Sequence, residues 1–580
     1  MLVRILVLNT GVMKKLLLFC FISSFFQISA FSQSCLPEGI TFETQDQIDS
    51  FQVDYPGCTT IGGNVYIFNT DITDLDGISM LDSILGSLIF EDNELLVDMT
   101  GLNNLHYIGG DLLIYYNPAL TSLTGLENLQ IIGGSLDIEA NFALSSLAGL
   151  ENLQTIGENL EIQMNHILSS LAGLENLSAA SINDISIYYN SNLSDCDIQG
   201  ICDYLTAPKG QVEIYKNATG CNNPPEIAQS CGTTLTCLPF GNYHFSSQQE
   251  IDGFPSDYSH CNHLAGYVSI SGENIMNLDS LSVLDTINGY LFICGNDNLS
   301  SLNGLNNLKT IQDGLIIGGI ECNGNNALTN MEGLNGLTSV GESVFIDGNA
   351  NILTLSGLDS LSSIGSSLRI SYNMSLKNLH GLESLISAGG FNIEGNYSLL
   401  NLNALLNLIN VENISIQNNP VLLSIIGIEN INADFINSLN ISDNDILSIC
   451  DVRSVCDYLA VYGADVEIYN NAPGCNSQEE VELVCGVGVV EVGSRQSIVV
   501  SYPNPFSSQT TFNIRLENSA RVNLKVFNNL GQAVATILDD PLEKGENQVM
   551  WDPEGLAPGI FFYRVSIDGQ PLTGKLVIVK

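Results

Sequence analysis

The tightest constraint on this chain is a pentapeptide that returns at a fixed interval. GLNNL stands at 101 and GLENL at 125, 149 and 173, always 24 residues apart. GLNNL at 304, GLNGL at 333, GLDSL at 357, GLESL at 381 and GIENI at 427 continue the pattern, with an insertion before 333. Self-similarity at such a period means a stack of like units. One unit reads LTSLTGLENLQIIGGSLDIEAN, residues 120–141. Within it Leu120, Leu123, Leu126, Leu129 and Ile132 are spaced by three, and Leu136 and Ile138 by two. A period of two puts both side chains on one face of a short strand. A spacing of three suits tight bends and not a helix, whose apolar stripe steps by three and four. The Gly-Gly pairs at 109–110 and 133–134 allow a turn with positive φ. Each unit therefore reads as one coil of a flattened superhelix with its aliphatics inward. A lone coil buries too little to offset its ordering entropy, so the coils must stack.

An asparagine column supports the stack. Asn69, Asn93, Asn117, Asn141 and Asn165 recur at the same interval, with Asn190 one residue late. Asn296, Asn325, Asn349, Asn373, Asn396, Asn419 and Asn444 hold the equivalent place in the second half. An amide there can satisfy turn backbone of its own and neighbouring coils, so the column reads as a structural ladder. The module itself occurs twice. Cys35, Cys58, Cys196, Cys202, Cys221 and Cys231 map in order onto Cys237, Cys261, Cys450, Cys456, Cys475 and Cys485, with flanking CDIQGICDYL matched by CDVRSVCDYL. Cysteine-rich segments at both ends of each module are placed to cap the apolar ends of a stack.

Composition sets the compartment and excludes some partners. The net charge is −46, and between Cys35 and Val490 the only basic residues are Lys209, Lys216, Lys309, Arg369, Lys377 and Arg453. Nucleic-acid binding needs Lys/Arg clusters, so no nucleic-acid partner is expected. Met13-Lys14-Lys15 followed by the apolar stretch 16–31 reads as a signal peptide over 1–34, with Met13 the expected true start. Cys20 leaves with it, and the remaining cysteines are even in number and patterned, as expected of disulfides in an oxidising compartment. No later segment is apolar for long enough to span a membrane.

The repeat with its cysteine caps resembles the receptor L-domain family, the leucine-rich β-helical domains of growth-factor receptor ectodomains and many bacterial surface proteins. The resemblance covers 35–232 and 237–486 and implies a fold, but no fixed catalytic residues. The caps are longer than that family leads one to expect, so its disulfide pairing does not carry over. Cys35–Cys58 and Cys237–Cys261 are the favoured pairs, and the four later cysteines of each module leave three connectivities open. Cys294 and Cys322 occur only in the second module, one coil apart and within disulfide reach if coils stack at about 4.8 Å, so they are expected to pair.

A linker over 487–497 leads to a different pattern at 498–580. Alternating strands such as RVNLKVFN (521–528), GIFFYRVSI (559–567) and GKLVIVK (574–580), with turn signals between them, predict a small β-sandwich. This segment resembles the C-terminal sorting domain of type IX secretion substrates at Tyr502-Pro503-Asn504-Pro505, Gly531-Gln532, Trp551, Pro558-Gly559 and Gly574-Lys575-Leu576. The resemblance implies the type IX machinery as partner, and passage through the periplasm to the medium or the outer cell surface. The fold class is thus all-β: two tandem right-handed solenoids with disulfide caps, then a β-sandwich.

No nucleophile elbow, phosphate loop or zinc-protease helix is present, so the chain reads as a binder and not an enzyme. His260-Cys261-Asn262-His263 offers few ligands and Cys261 has a simpler use in a disulfide, so no metal is expected. Clusters such as Asp443-Asn444-Asp445 offer oxygens to a surface Ca2+ but lack EF-hand spacing, and no cofactor is expected. Counting two residues before each ladder asparagine gives an outward strand column: Tyr115, Glu139, Gln163 and Tyr188, then Asp347, Ser371, Glu394 and Gln417. These are the candidate contacts for an extracellular protein or glycan. A structural surface-layer spacer, or an exported hydrolase, is the competing reading.

Overall fold

The computed structural model describes residues 34–319, 322–461, 463–486, 498–516, 518–528, 531–567 and 570–579. The signal peptide (apart from Ser34) and the linker at 487–497 lie outside the described residues. The chain divides into two compact units, Met1–Leu399 with Asn407–Val411, and Leu400–Leu406 with Glu412–Lys580.

In the first unit most repeats are one coil with two strands; the coil of Ile185–Tyr188 has a 3-10 turn, Ala179–Ser181, in place of the second. Eight long-face strands stack in parallel in chain order: β1 (Ile40–Phe42), β2 (Val65–Phe68), β3 (Leu88–Glu91), β4 (Leu112–Tyr115), β5 (Leu136–Glu139), β6 (Leu160–Gln163), β7 (Ile185–Tyr188) and β8 (Val212–Tyr215). Opposite them runs a narrower parallel sheet of two-residue strands, from Thr60–Ile61 to Thr155–Ile156. The period of two operates as expected: Leu112, Ile114, Leu136 and Ile138 are fully buried, and so are Leu120, Leu123, Leu126 and Leu129 at the bends. Register is held coil to coil, Leu112 beside Leu136 and Leu136 beside Leu160.

The pentapeptide earns its recurrence through its polar members. The Glu127 carboxylate accepts the Gly125 N–H at 3.0 Å, and Asn128 Nδ2 donates to the carbonyl of Asn103 in the previous coil at 2.7 Å. Asn152 repeats the second bond onto Glu127 O at 2.7 Å. Gly125 itself has φ +112, where an L side chain is strained.

The expectation for the Gly-Gly pairs needs correction. Gly109, Gly110, Gly133 and Gly134 are not in the positive-φ region; positive φ falls instead on the glycine of the pentapeptide and on the residue after several of the long strands, such as Tyr116, Ala140 and Met164. The pairs are glycine because coils approach too closely there. A Cβ on Gly133 would sit 2.2 Å from Gly109 O, and one on Gly109 2.2 Å from Leu85 O.

The same unit continues into the second sequence module with β9 (Tyr243–Phe245), β10 (Val268–Ile270), β11 (Leu291–Ile293), β12 (Leu315–Gly318), β13 (Val344–Asp347), β14 (Ser367–Ser371) and β15 (Gly390–Glu394), again parallel and in order. The second unit carries β16 (Asn413–Gln417), β17 (Ser438–Ser442) and β18 (Asp465–Tyr469), parallel to one another.

Short helices in the cap segments close the open coil ends. Helix α1 (Gln45–Asp54) opens on a capping box between Thr44 and Gln47 and buries Ile48 and Phe51. Its counterpart in the second module, Gln248–Asp257, uses Ser247 and Glu250 and buries Ile251 and Phe254. These boxes satisfy otherwise orphaned helix N–H groups.

The C-terminal segment is two antiparallel sheets. One holds β19 (Ile498–Tyr502), β20 (Thr510–Leu516) and β23 (Gly545–Trp551); the other holds β21 (Ala520–Phe527), β22 (Ala533–Leu542), β24 (Gly559–Ile567) and β25 (Gln570–Ile578). Phe512, Ile514, Val522, Leu524, Val565 and Leu576 fill the space between them, which makes the segment a β-sandwich.

Candidate interaction surface

The long sheet of the first unit offers two outward rows. One runs Tyr115, Glu139, Gln163, Tyr188, Tyr215; the other runs Leu113, Asp137, Glu161, Ser186, Glu213. Tyr115, Glu139 and Tyr188 of the predicted column are half-buried. The second row went unnoticed in the sequence, although the period of two that placed Glu139 outward places Asp137 outward as well.

Asp137 is a strongly perturbed carboxyl on this face. The Tyr115 hydroxyl donates to its Oδ2 at 2.6 Å, and its Oδ1 is out of solvent contact with no hydrogen-bond partner. Burial, and then the carboxylates of Glu161, Glu139 and Asp111, hold its pKa up at about 6 against the single lowering bond from Tyr115. Tyr115 is raised in turn, first by burial and then by its bond to Asp137. Glu161 receives only amides, from Asn159 Nδ2 at 3.4 Å and Gln163 Nε2 at 3.3 Å.

Where the two modules meet, the rows turn aromatic. Tyr188 stacks on Tyr215 with centroids 4.9 Å apart, and Tyr215 on His244 at 3.8 Å and 14°. Glu213 accepts from the Tyr267 hydroxyl and lies 3.8 Å from His244 Nε2. Burial alone would raise the Glu213 carboxyl, but the nearby His244 and the hydrogen bond from Tyr267 outweigh it and the net shift is downward. Tyr188 is pushed up to about 12 by burial and the neighbouring carboxylates. Tyr189 adds an edge against Tyr215 at 5.6 Å and takes Lys216 Nζ at 2.8 Å on its hydroxyl.

The junction also corrects the predicted column. Val212 bridges to Gly241 in parallel, so Tyr215 comes abreast of His244, which begins the other outward row of the second module. Counting back from the ladder asparagines therefore does not yield one continuous column: Asp347, Ser371 and Glu394 lie two residues out of step with Tyr115 and Tyr188. Nor are all of the outward positions exposed. Gln163, Asp347 and Ser371 are buried. Arg369 Nε reaches Asp347 Oδ2 at 2.7 Å, its guanidinium lies 4.3 Å over the Phe345 ring, and Ser371 donates to Asp347. Glu394 remains half-buried and takes the Tyr372 hydroxyl at 2.7 Å. In the second unit Gln417, also half-buried, bonds Ser415 at 2.8 Å.

The ladder asparagines are removed from any ligand. Asn93, Asn117, Asn141, Asn165, Asn190, Asn349, Asn373, Asn396 and Asn419 are fully buried. Asn141 is typical: its Oδ1 accepts the Asn117 backbone N–H at 3.0 Å, and its Nδ2 donates to Ile114 O at 2.8 Å and Glu139 O at 3.0 Å. The row extends further than its spacing revealed, to Asn217 after Asn190 and to Asn471 after Asn444. The cap segments that carry those two break the 24-residue interval.

The cysteines form Cys35–Cys58, Cys237–Cys261 and Cys294–Cys322. Of the three open connectivities the caps adopt first-to-third and second-to-fourth, Cys196–Cys221 with Cys202–Cys231 and Cys450–Cys475 with Cys456–Cys485. Among the described residues no three His, Cys, Asp or Glu side chains converge on a metal position, and no helix is long and apolar enough to cross a membrane.

In the sandwich, Asn504 pins the last strand: its Nδ2 donates to Lys575 O at 2.6 Å and its Oδ1 accepts the Val577 N–H at 2.8 Å. Pro503 O accepts Thr510 Oγ1 at 2.7 Å, and Pro505 ends the Tyr502–Pro505 turn. Tyr502 is 74% exposed. Gly531 has φ +73 in its turn and Gly559 opens β24.

Two family models match the chain. One, described as Receptor L domain, matches residues 57–145 and 260–316; the other, Secretion system C-terminal sorting domain, matches 500–579. No curated protein matches it.

Proposed function

We propose that this chain, which carries Receptor L domain sequence in both repeats and is exported to the cell surface or the medium through its sorting domain, recognises an extracellular ligand with the long parallel sheet of its solenoid. The observation behind this reading is the pair of outward rows across β4–β8, where tyrosines and carboxylates stand side by side on a regular sheet. Core packing does not require them there: the inward positions of the same strands fill the interior by themselves. Tyrosine combines large contact area with a polar tip and loses little entropy on binding. Residues 35–232 and 237–486 serve in this reading as two recognition modules, and 498–580 as the export signal. The type IX secretion machinery is the partner during export, and the recognition role is surface adhesion or capture.

The test is a glycan and extracellular-protein array probed with the exported full chain and with its Tyr115→Ala/Tyr188→Ala variant. Saturable binding that the double variant weakens roughly tenfold supports recognition at this face. Absence of any saturable ligand sinks it and favours a structural spacer.

A further inference from the structure

The face of the first module differs from that of the second in how its carboxylates are balanced. In the second module Asp347 has a cation built in, Arg369, which pairs with it and lies over Phe345. In the first module Asp137, Glu139 and Glu161 take part in no ion pair among the described residues. Asp137 is served by a phenol and Glu161 by amides instead. Lys216, just after β8, is engaged by Tyr189, over whose ring its Nζ sits at 4.6 Å.

Tyr215, at the end of the Tyr115 row, is arranged unlike a sugar platform. A sugar ring stacks on an open aromatic face. Tyr215 has one face against Tyr188 and the other against His244, so its edge and hydroxyl are what remain for a ligand. Such edges suit the aliphatic stem of a long side chain whose charged head reaches past the ring.

The geometry points to a basic polypeptide segment as the ligand of this face, its Lys or Arg heads meeting Asp137, Glu139 and Glu161 and their stems lying along Tyr115 and Tyr188. This rests on the recognition reading above and names its ligand class. Two features favour a polypeptide over a small cation. Neighbouring strands lie about 4.8 Å apart, so the three steps from Tyr115 to Tyr188 span about 14 Å, the reach of roughly four extended residues. The carboxylates are also spread across strands and do not converge on one point.

Fluorescence-anisotropy titration of the exported full chain with a labelled Arg-Gly repeat peptide tests this, with a Glu-Gly peptide and neutral oligosaccharides as comparators. The basic peptide should bind saturably and weaken as salt rises from about 50 to about 300 mM. Glu139→Gln/Glu161→Gln should weaken it roughly tenfold. Asp71→Asn/Glu94→Gln, which removes two exposed carboxylates from the turns beyond the asparagine ladder, should leave it within about twofold. Equal losses from both pairs would mean bulk attraction to an acidic chain and would overturn the inference. A neutral ligand that saturates and depends on Tyr188, while the basic peptide does not bind, would overturn the ligand class and leave recognition standing. If no ligand saturates, both fall.

Discussion

At the scale of single residues, Asp137 shows most clearly what this fold asks of a polar group. Its carboxyl titrates near 6 because burial and three neighbouring carboxylates oppose its charge. A folded-state pKa raised above the unfolded value means the folded protein holds the proton more tightly. The contribution to stability is then complete below about pH 4 and lost as pH rises through about 6. Asp137→Asn should therefore raise the melting temperature at pH 7.5 and leave it nearly unchanged at pH 4; thermal melts at the two values check this. The reverse ordering would mean that the charged form is stabilised in a way the geometry does not supply. Asn141 sets a second case. Its amide serves the Asn117 N–H and the Ile114 and Glu139 carbonyls, so Asn141→Ala strands buried backbone groups and should cost about 2–4 kcal/mol in chemical denaturation. The ladder was legible because its interval matches the repeat, whereas Asp137 was not: its importance depends on Tyr115 and Glu161 from adjacent coils, and no single repeat shows both.

At the scale of elements, inter-coil distance decides more than local turn chemistry. Gly133 belongs to a Gly-Gly pair that would allow a left-handed turn, but it is held to glycine by Gly109 O of the coil before it. Gly133→Ala should separate two coils and destabilise by more than about 2 kcal/mol, while Thr124→Ala in an exposed bend should stay within about 0.5 kcal/mol; denaturant midpoints compare them. The strands were legible from alternation, since Leu136 and Ile138 point inward whatever lies around them. The cap helices were not, because α1 has a short, mostly polar sequence whose helix is fixed by the Thr44–Gln47 capping box and by Ile48 and Phe51 covering the open coil. The step in the outward rows at Val212–Gly241 was equally hidden, since it arises where one module's last strand meets the next module's first and belongs to neither repeat.

At the scale of the whole molecule, the acidic surface, the cysteine-closed solenoids and the sorting domain agree with one another: each suits a chain that works outside the cell. Deleting 498–580 should leave the solenoids in the periplasm, which fractionation of the producing cells would show; unchanged appearance at the surface or in the medium would separate export from this domain. Architecture and destination were legible because repeats and motifs state them directly. The ligand was not, because a regular outward face carries many side chains of which the sequence singles out few. The most direct measurement is therefore hydroxyl-radical footprinting of the full chain, alone and saturated with a ligand found on the array. The account predicts protection at Tyr115, Tyr188 and Tyr215 with Tyr66 and Tyr372 unchanged. Protection confined to the narrow opposite sheet or to the sandwich, with the β4–β8 face as reactive as before, would contradict it.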